Sequence, residues 1–327
     1  IFNRQAAKDM VPERRDSNHE FGLNPCGEIR LRPREFCNLS EIVCRPNDTV
    51  ATLRKKVTQA TWIGTIQSTL TDFRYLSTPW KKNTEEERLL GVSFTGIMDC
   101  PVLMGASDKE LRGLRDHAIK ENAQCAKLLG IPESAAITCI KPSGTVSQLV
   151  DCSSGIHPRH HSTFIRHVRN DKKDPLSTAL IEAGVPYVDD PGKEGQWVFS
   201  FPMKSPDESI TRHNMSALEH LAVWKRFALN WCEHQPSITV SIKEHEWVEV
   251  GAWVYENFNI LSGVSFLPHS DDDHSYQLTP YQDCTAKEYK ALEKVMPTHI
   301  EWDSIKEEED QTIASQEYAC MAGECEI

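Results

Sequence analysis

Apolar residues return at helical spacing through residues 49–73, where Val50, Leu53, Val57, Ile63, Ile66 and Leu70 predict one long helix. Residues 89–98 are apolar with Gly91 and Gly96, and predict a strand or turn leading toward helix, broken at Pro101. Residues 107–129 predict a capped helix: Ser107 and Glu110 form a capping box, and Gly130 and Pro132 end it. A short buried strand follows at 136–140, then a turn at 141–147. Residues 153–195 read as loop-rich with a helix near 175–183. Strands are predicted at 198–201, 237–242 and 263–267. Helices are predicted at 215–231, with Leu218, Leu221, Ala222, Phe227 and Leu229 mostly inward, at 244–258, and at 285–296 with Thr285 and Glu288 as a second capping box. Strands alternating with helices favour a parallel α/β arrangement. No internal repeat is visible.

Composition narrows the classes. With 327 residues, 39% hydrophobic and 26% charged, the chain is globular rather than disordered. No apolar run reaches the roughly 18 residues of a membrane span, so no membrane partner is expected. The formal net charge of −12 argues against a nucleic-acid partner, which needs clustered Lys and Arg. Eleven scattered cysteines without a compact framework fit a reducing, cytoplasmic setting. No C-x-x-C pair is present, so no zinc ribbon and no metal site is expected. The chain begins at Ile1 in a polar stretch and reads as a piece of a longer polypeptide. Residues 305–327 change character to an acidic, polar tail.

Four stretches could carry chemistry. Asn24-Pro25-Cys26-Gly27-Glu28-Ile29 places an amide, a thiol and a carboxylate within five positions. If it is extended, Asn24, Cys26 and Glu28 share one face, since side chains alternate along a strand. The alternative is a buried structural cysteine in a turn. The turn Pro142-Ser143-Gly144-Thr145 after a strand offers backbone N–H groups and hydroxyls to an anion, although it is no Walker loop and also fits an ordinary strand exit. Cys320 and Cys325 in the tail read as a metal half-site, an inert pair or a mobile dithiol able to carry electrons by thiol exchange. His157, His160, His161 and His167 favour a surface loop over a metal site, and Arg159, Arg166 and Arg169 beside them could neutralise phosphates.

Taken in order, the Asn24–Ile29 stretch, Cys37 within Glu35-Phe36-Cys37-Asn38-Leu39-Ser40, the 142–145 turn and the Cys320/Cys325 tail resemble a ribonucleotide reductase catalytic subunit. The resemblance is to the adenosylcobalamin-dependent (class II) monomeric ribonucleoside-triphosphate reductases. The stretches 151–158, 261–268 and 276–281 support it. It runs along essentially all of the chain but covers only the C-terminal half of the family's length.

That resemblance implies an α/β fold, the C-terminal half of a ten-stranded α/β barrel with a central finger loop at about 22–40. Residues 1–304 would form the half-barrel and 305–327 a flexible redox-active tail. It implies Cys26 as the thiyl radical, Glu28 as general base toward the 3′-hydroxyl and Asn24 as a holder of the sugar hydroxyls. Cys37 becomes one of two reducing cysteines, its partner lying upstream of this chain. Cys320 and Cys325 become the shuttle to thioredoxin. Pro142, Ser143, Gly144 and Thr145, with Ser147 added, hold the substrate phosphates. The implied cofactor is adenosylcobalamin, because no adjacent Tyr-Tyr pair exists for an iron-dependent radical relay and Gly323 lies between tail cysteines rather than in a glycyl-radical loop. The implied partners are a ribonucleoside triphosphate, thioredoxin and the N-terminal half of the same enzyme, without which the chain alone should be inactive. The alternatives are an inactive or split fragment that only binds nucleotide or a partner chain, and a diphosphate-using reductase.

Overall fold

The computed structural model describes residues 1–269 and 277–306. In chain order the elements are α1 (Arg4–Asp9), β1 (Gly22–Leu23), β2 (Arg30–Leu31), β3 (Asn38–Val43), α2 (Val50–Gln67), α3 (Thr78–Glu87) and β4 (Leu90–Thr95). Then come α4 (Pro101–Met104), α5 (Asp108–Leu129), β5 (Thr138–Cys139), α6 (Val146–Leu149), β6 (Thr163–Asp171) and α7 (Pro175–Glu182). The remainder are β7 (Tyr187–Asp189), β8 (Gln196–Lys204), α8 (Ala217–Asn230), β9 (Thr239–Ile242), α9 (Trp247–Glu256), β10 (Ser265–Pro268), β11 (Tyr281–Asp283) and α10 (Ala286–Val295). They divide into two units, Ile1–Arg159 with Arg212–His269, and His160–Thr211 with Ser270–Ile327.

The first unit holds the parallel arrangement that the alternation predicts. β3, β4 and β5 pair in parallel, as do β9 and β10. A parallel bridge between Ile140 and Pro236 continues β5 toward β9, fixed by Ser237 N donating to Ile140 O at 2.8 Å. Strands buried on both faces lose their polar alternation. β4 is buried at every position, so its sequence, Leu-Gly-Val-Ser-Phe-Thr, shows no period of two. Helices α2, α5 and α8 supply the apolar layer against it through Leu53, Val57, Leu111, Leu114, Trp224 and Phe227. The α5 ends are as predicted: Glu110 N donates to Ser107 Oγ, Ser107 N donates to Glu110 Oε2 at 2.8 Å, and Gly130 closes the helix in the left-handed region at φ 67°.

The long helix is shorter than its pattern. α2 stops at Gln67, and Ile63 and Leu70 are 60% and 73% exposed rather than part of the core. Thr61, Gly64 and Thr65 are buried instead: Asn122 of α5 donates to Thr65 Oγ1 at 2.9 Å, and Gly64 lies against Leu90 of β4. In α8, Leu221 and Phe227 are buried as expected, with His220, Trp224 and Asn230 beside them, but Ala222 is exposed and Leu229 is 43% exposed, so these two apolar positions face outward.

The second unit corrects the expectation of a wholly parallel arrangement. Its sheet has the order β11-β6-β8-β7 and is antiparallel throughout. The nine-residue strand β6 lies where the sequence reads as loop-rich. Its polar residues are satisfied across the sheet: His167 meets Ser200 Oγ at 3.0 Å and Gln282 Oε1 at 2.8 Å. Such cross-strand pairs replace the apolar alternation that marks a strand in sequence. Leu180, Val185 and Phe199 form this unit's small core. Cys320 and Cys325 lie outside the described residues.

Candidate active site

The Asn24–Ile29 stretch is not extended. β1 and β2 form an antiparallel hairpin, pairing Gly22 with Leu31 and Leu23 with Arg30, and the stretch is the loop joining them. Gly27 N donates to Asn24 O at 2.9 Å, closing a turn in which Gly27 stands at φ 83°, a region only glycine enters freely. The Asn24 side chain binds the loop from inside: its Oδ1 accepts from Gly27 N at 3.1 Å and from Ile29 N at 3.0 Å. Local bonding of this kind is what Asn offers a turn. The expected shared face therefore fails as strand geometry. The turn achieves the meeting of amide and carboxylate instead, with Asn24 Nδ2 donating to Glu28 Oε1 at 2.8 Å.

The loop is held on the β5–β9 connection. Gln235 donates from its side-chain amide to Gly27 O, Ser237 donates its hydroxyl to Cys26 O, and Gln235 N donates to Glu28 O at 3.2 Å. Cys26 is exposed at the tip, while Glu28 is fully buried. One Glu28 oxygen accepts from both Asn24 and Lys141, whose Nζ lies 3.3 Å away; the other, Oε2, is buried without a hydrogen-bond partner among the described residues. A buried carboxylate needs such a counter-charge to avoid a large desolvation cost. Burial lowers the Lys141 ammonium, but Cys26 and Glu28 beside it outweigh that and hold its pKa above the usual lysine value.

Lys141 was legible only as part of a turn, and it is the residue that sequence reasoning missed. Its backbone N donates to Ser93 Oγ at 2.8 Å, which seats the strand exit beside β4. The side chain is half-buried and lines a cavity of about 320 Å³ together with Ser93 and Pro142, Ser143, Gly144 and Thr145. Glu41 and Leu39 of β3 complete its wall. Ser143 is buried, and its Oγ has no hydrogen-bond partner among the described residues. Gly144 and Thr145 are exposed. Ser147 is fully buried in α6 and is not among the cavity-lining residues.

Cys37 precedes β3 and is half-buried. Burial, and then the nearby Glu28 carboxylate, push its thiol well above the usual cysteine range. It is thus kept as a thiol rather than a thiolate, the form able to donate hydrogen.

The four histidines do not form one cluster: His160 and His161 both approach Asp283, while His157 and His167 stand apart from them. His157 is partly buried and bound on both sides: its Nε2 accepts from Thr239 N at 2.9 Å and its Nδ1 donates to Ser154 O at 3.1 Å. His160 pairs with Asp283 at 2.6 Å, and His167 is bound within the antiparallel sheet. The three arginines read as phosphate neutralisers are engaged within the chain: Arg159 by Asp99 at 3.0 Å, Arg169 by Asp190 at 2.9 Å, and Arg166 by Pro280 O while it stacks on Tyr281. No helix among the described residues is long and apolar enough to cross a membrane.

No protein-family model matches the chain. Curated proteins do. It is 29% identical over 310 residues to a probable adenosylcobalamin-dependent ribonucleoside-triphosphate reductase of Dictyostelium discoideum, covering 89% of this chain and 39% of that one. It is 26% identical to the adenosylcobalamin-dependent ribonucleoside-triphosphate reductase of Euglena gracilis (90% and 41% covered) and 25% identical to that of Levilactobacillus brevis (83% and 40%). The chain thus spans about two-fifths of the length of these relatives. Among solved structures, a B12-dependent (class II) ribonucleotide reductase matches with a TM-score of 0.72 at 23% identity, over 85% of this chain and 42% of that one. The α subunit of a class Id ribonucleotide reductase of Actinobacillus ureae matches with a TM-score of 0.56 at 17% identity. The mixed α/β fold is therefore that of the matched part of a class II ribonucleotide reductase, and over most of its length the sequence is similar to the adenosylcobalamin-dependent ribonucleoside-triphosphate reductases.

Proposed function

We propose that this chain carries the radical and substrate-binding residues of a thiyl-radical reduction of ribonucleoside triphosphates to 2′-deoxyribonucleoside triphosphates, working with the remainder of a longer reductase. The observation that carries the reading is the hairpin turn. It sets the Cys26 thiol at an exposed tip, with the buried Glu28 carboxylate and the Asn24 amide hydrogen-bonded behind it and a 320 Å³ cavity reached through Lys141. A radical thiol, a base and a sugar-hydroxyl ligand have to meet one ribose.

In this reading the Cys26 thiyl takes the hydrogen atom from C3′ and Glu28 takes the 3′-hydroxyl proton. The 2′-hydroxyl leaves as water. Cys37 and a second thiol outside this chain supply two electrons and two protons and are left as a disulfide. Cys26 then returns its hydrogen atom to C3′. Pro142, Ser143, Gly144 and Thr145 hold the phosphates; Ser147, fully buried and outside the cavity lining, is left out of that set. Adenosylcobalamin, when bound, supplies the organic radical that takes the hydrogen atom of a thiol. The exposure of Cys26 suits that role, and no residue of this chain is assigned to cobalt. Cys320 and Cys325 of the tail re-reduce the disulfide and pass electrons from thioredoxin, in a cytoplasmic enzyme.

Replacing Cys26 by Ser in the complete, cobalamin-loaded reductase is expected to abolish deoxynucleotide formation and leave nucleotide binding within about twofold. Deoxynucleotide made by that variant overturns the assignment.

A further inference from the structure

Lys141 stands between two places that need positive charge. Its Nζ is 3.3 Å from Glu28 Oε1, and the same side chain lines the cavity of the 142–145 turn. It is the only basic residue among those lining that cavity, whose wall also carries the Glu41 carboxylate. The cavity's other donors near the turn are the backbone and the hydroxyls of Ser143 and Thr145. A polyphosphate entering it brings several negative charges into reach of a single ammonium already committed to a carboxylate. A lysine has three donors on a flexible stem, so it can exchange partners without backbone movement. The backbone here is fixed: Lys141 N donates to Ser93 Oγ at 2.8 Å.

We propose that Lys141 is a substrate-responsive bridge, paired with Glu28 while the cavity is empty and drawn to the phosphate oxygens when a nucleoside triphosphate fills it, so that Glu28 becomes an available base only with substrate in place. This rests on the reading of the 142–145 turn as a phosphate loop. It assigns Lys141 two roles that the motif does not: contact with the substrate phosphates, and restraint of the base until they arrive. The arrangement guards an open radical site, since a base without its counter-charge appears only once the sugar occupies the space above it.

Competition of this kind has a thermodynamic signature. If Glu28 and a phosphate compete for one ammonium, removing the Glu28 charge must tighten phosphate binding, and must do so only while Lys141 is present. Titration calorimetry of the chain with inorganic tripolyphosphate and with CTP, in the wild type, Glu28→Gln, Lys141→Met and the double variant, measures this. Glu28→Gln is expected to tighten tripolyphosphate binding about fivefold and Lys141→Met to weaken it about tenfold, the scale of one charge-assisted hydrogen bond. In the Lys141→Met background, Glu28→Gln is expected to change nothing. Amine-selective 15N NMR of the wild type, which depends on no variant folding, is expected to show the Lys141 ammonium signal shifting on addition of tripolyphosphate.

Binding that Glu28→Gln alters equally in both Lys141 backgrounds, or a Lys141 signal unmoved by bound tripolyphosphate, overturns the bridge and leaves the phosphate loop standing. Absence of any binding of tripolyphosphate or CTP to a folded wild type overturns the phosphate loop and the bridge together.

Discussion

Glu35 and Glu87 meet beneath the hairpin, between two arginines. Arg15 donates to Glu87 Oε2 at 2.7 Å and to Glu35 Oε2 at 3.3 Å, while Arg32 reaches Glu35 Oε1 at 3.2 Å. Arg15 also donates to Arg30 O at 2.9 Å, so this cluster anchors β2 and with it the site loop. Burial, and then a hydrogen bond with the Glu87 carboxylate, push Glu35 up to about 8. Burial also raises Glu87, but the hydrogen bonds from Arg15 and Glu35 outweigh it and leave Glu87 below its usual value. The pair therefore carries one proton near neutral pH. A carboxyl that ionises later in the fold than in the unfolded chain contributes fully below its ordinary value of 4.5, and that contribution is lost as pH rises through about 8. Urea unfolding is expected to show the wild type losing on the order of a few kcal/mol between pH 5.5 and 8.5 relative to Glu35→Gln, which keeps the proton-bearing shape without titrating. Parallel profiles for the two proteins would remove Glu35 as the cause.

At the scale of elements, the site depends on where a strand ends and how its exit is packed. β5 is only two residues long, yet Lys141 leaves it at a defined place because Gly155 lies against it. Gly155 sits at φ 55°, and a Cβ there would stand 2.6 Å from Lys141 O. Neither the backbone conformation nor the space admits a side chain. Gly155→Ala is expected to cost roughly 1–3 kcal/mol in unfolding free energy and to weaken tripolyphosphate binding by displacing the 141–145 segment. Unchanged binding would mean that this contact does not place the loop. Helix ends are the other elements whose chemistry is local: Ser216 with Glu219 and Thr285 with Glu288 close α8 and α10 as Ser107 and Glu110 close α5. The caps of α5 and α10 were legible because a cap is made within four residues of its helix; the one at Ser216 has the same local pattern and went unread. The extent of α2 was not legible, because the exposure of Ile63 and Leu70 depends on what α5 leaves uncovered.

For the whole molecule, the first unit presents five parallel strands in chain order, β3, β4, β5 with its bridge to 236, β9 and β10. β3 and β10 each pair on one side only among the described residues. This supports the half-barrel reading, in which a second set of strands comes from elsewhere in a longer reductase. The proposed electron path belongs to the same scale, since it joins the ends of the chain. Changing Cys320 and Cys325 together to Ser in the complete reductase is expected to reduce thioredoxin-driven turnover at least about tenfold and to spare turnover driven by dithiothreitol. Equal loss with both reductants would argue against a shuttle.

Short-range chemistry is what the sequence by itself determined: the helix caps at Ser107 and Thr285, the glycine that ends α5, and the apolar runs that mark buried segments. Those features are decided within a few residues by hydrogen bonds and backbone sterics. Tertiary structure alone decided the rest. It decided between an extended stretch and a turn at Asn24–Ile29 in favour of a hairpin loop, made β6 a strand through pairing with β8 and β11, and committed Arg159, Arg166 and Arg169 to partners within the chain. It also brought Lys141 to Glu28 across 113 positions of sequence. Pairing of charges over that separation depends on how the chain packs, and no local pattern of residues encodes it.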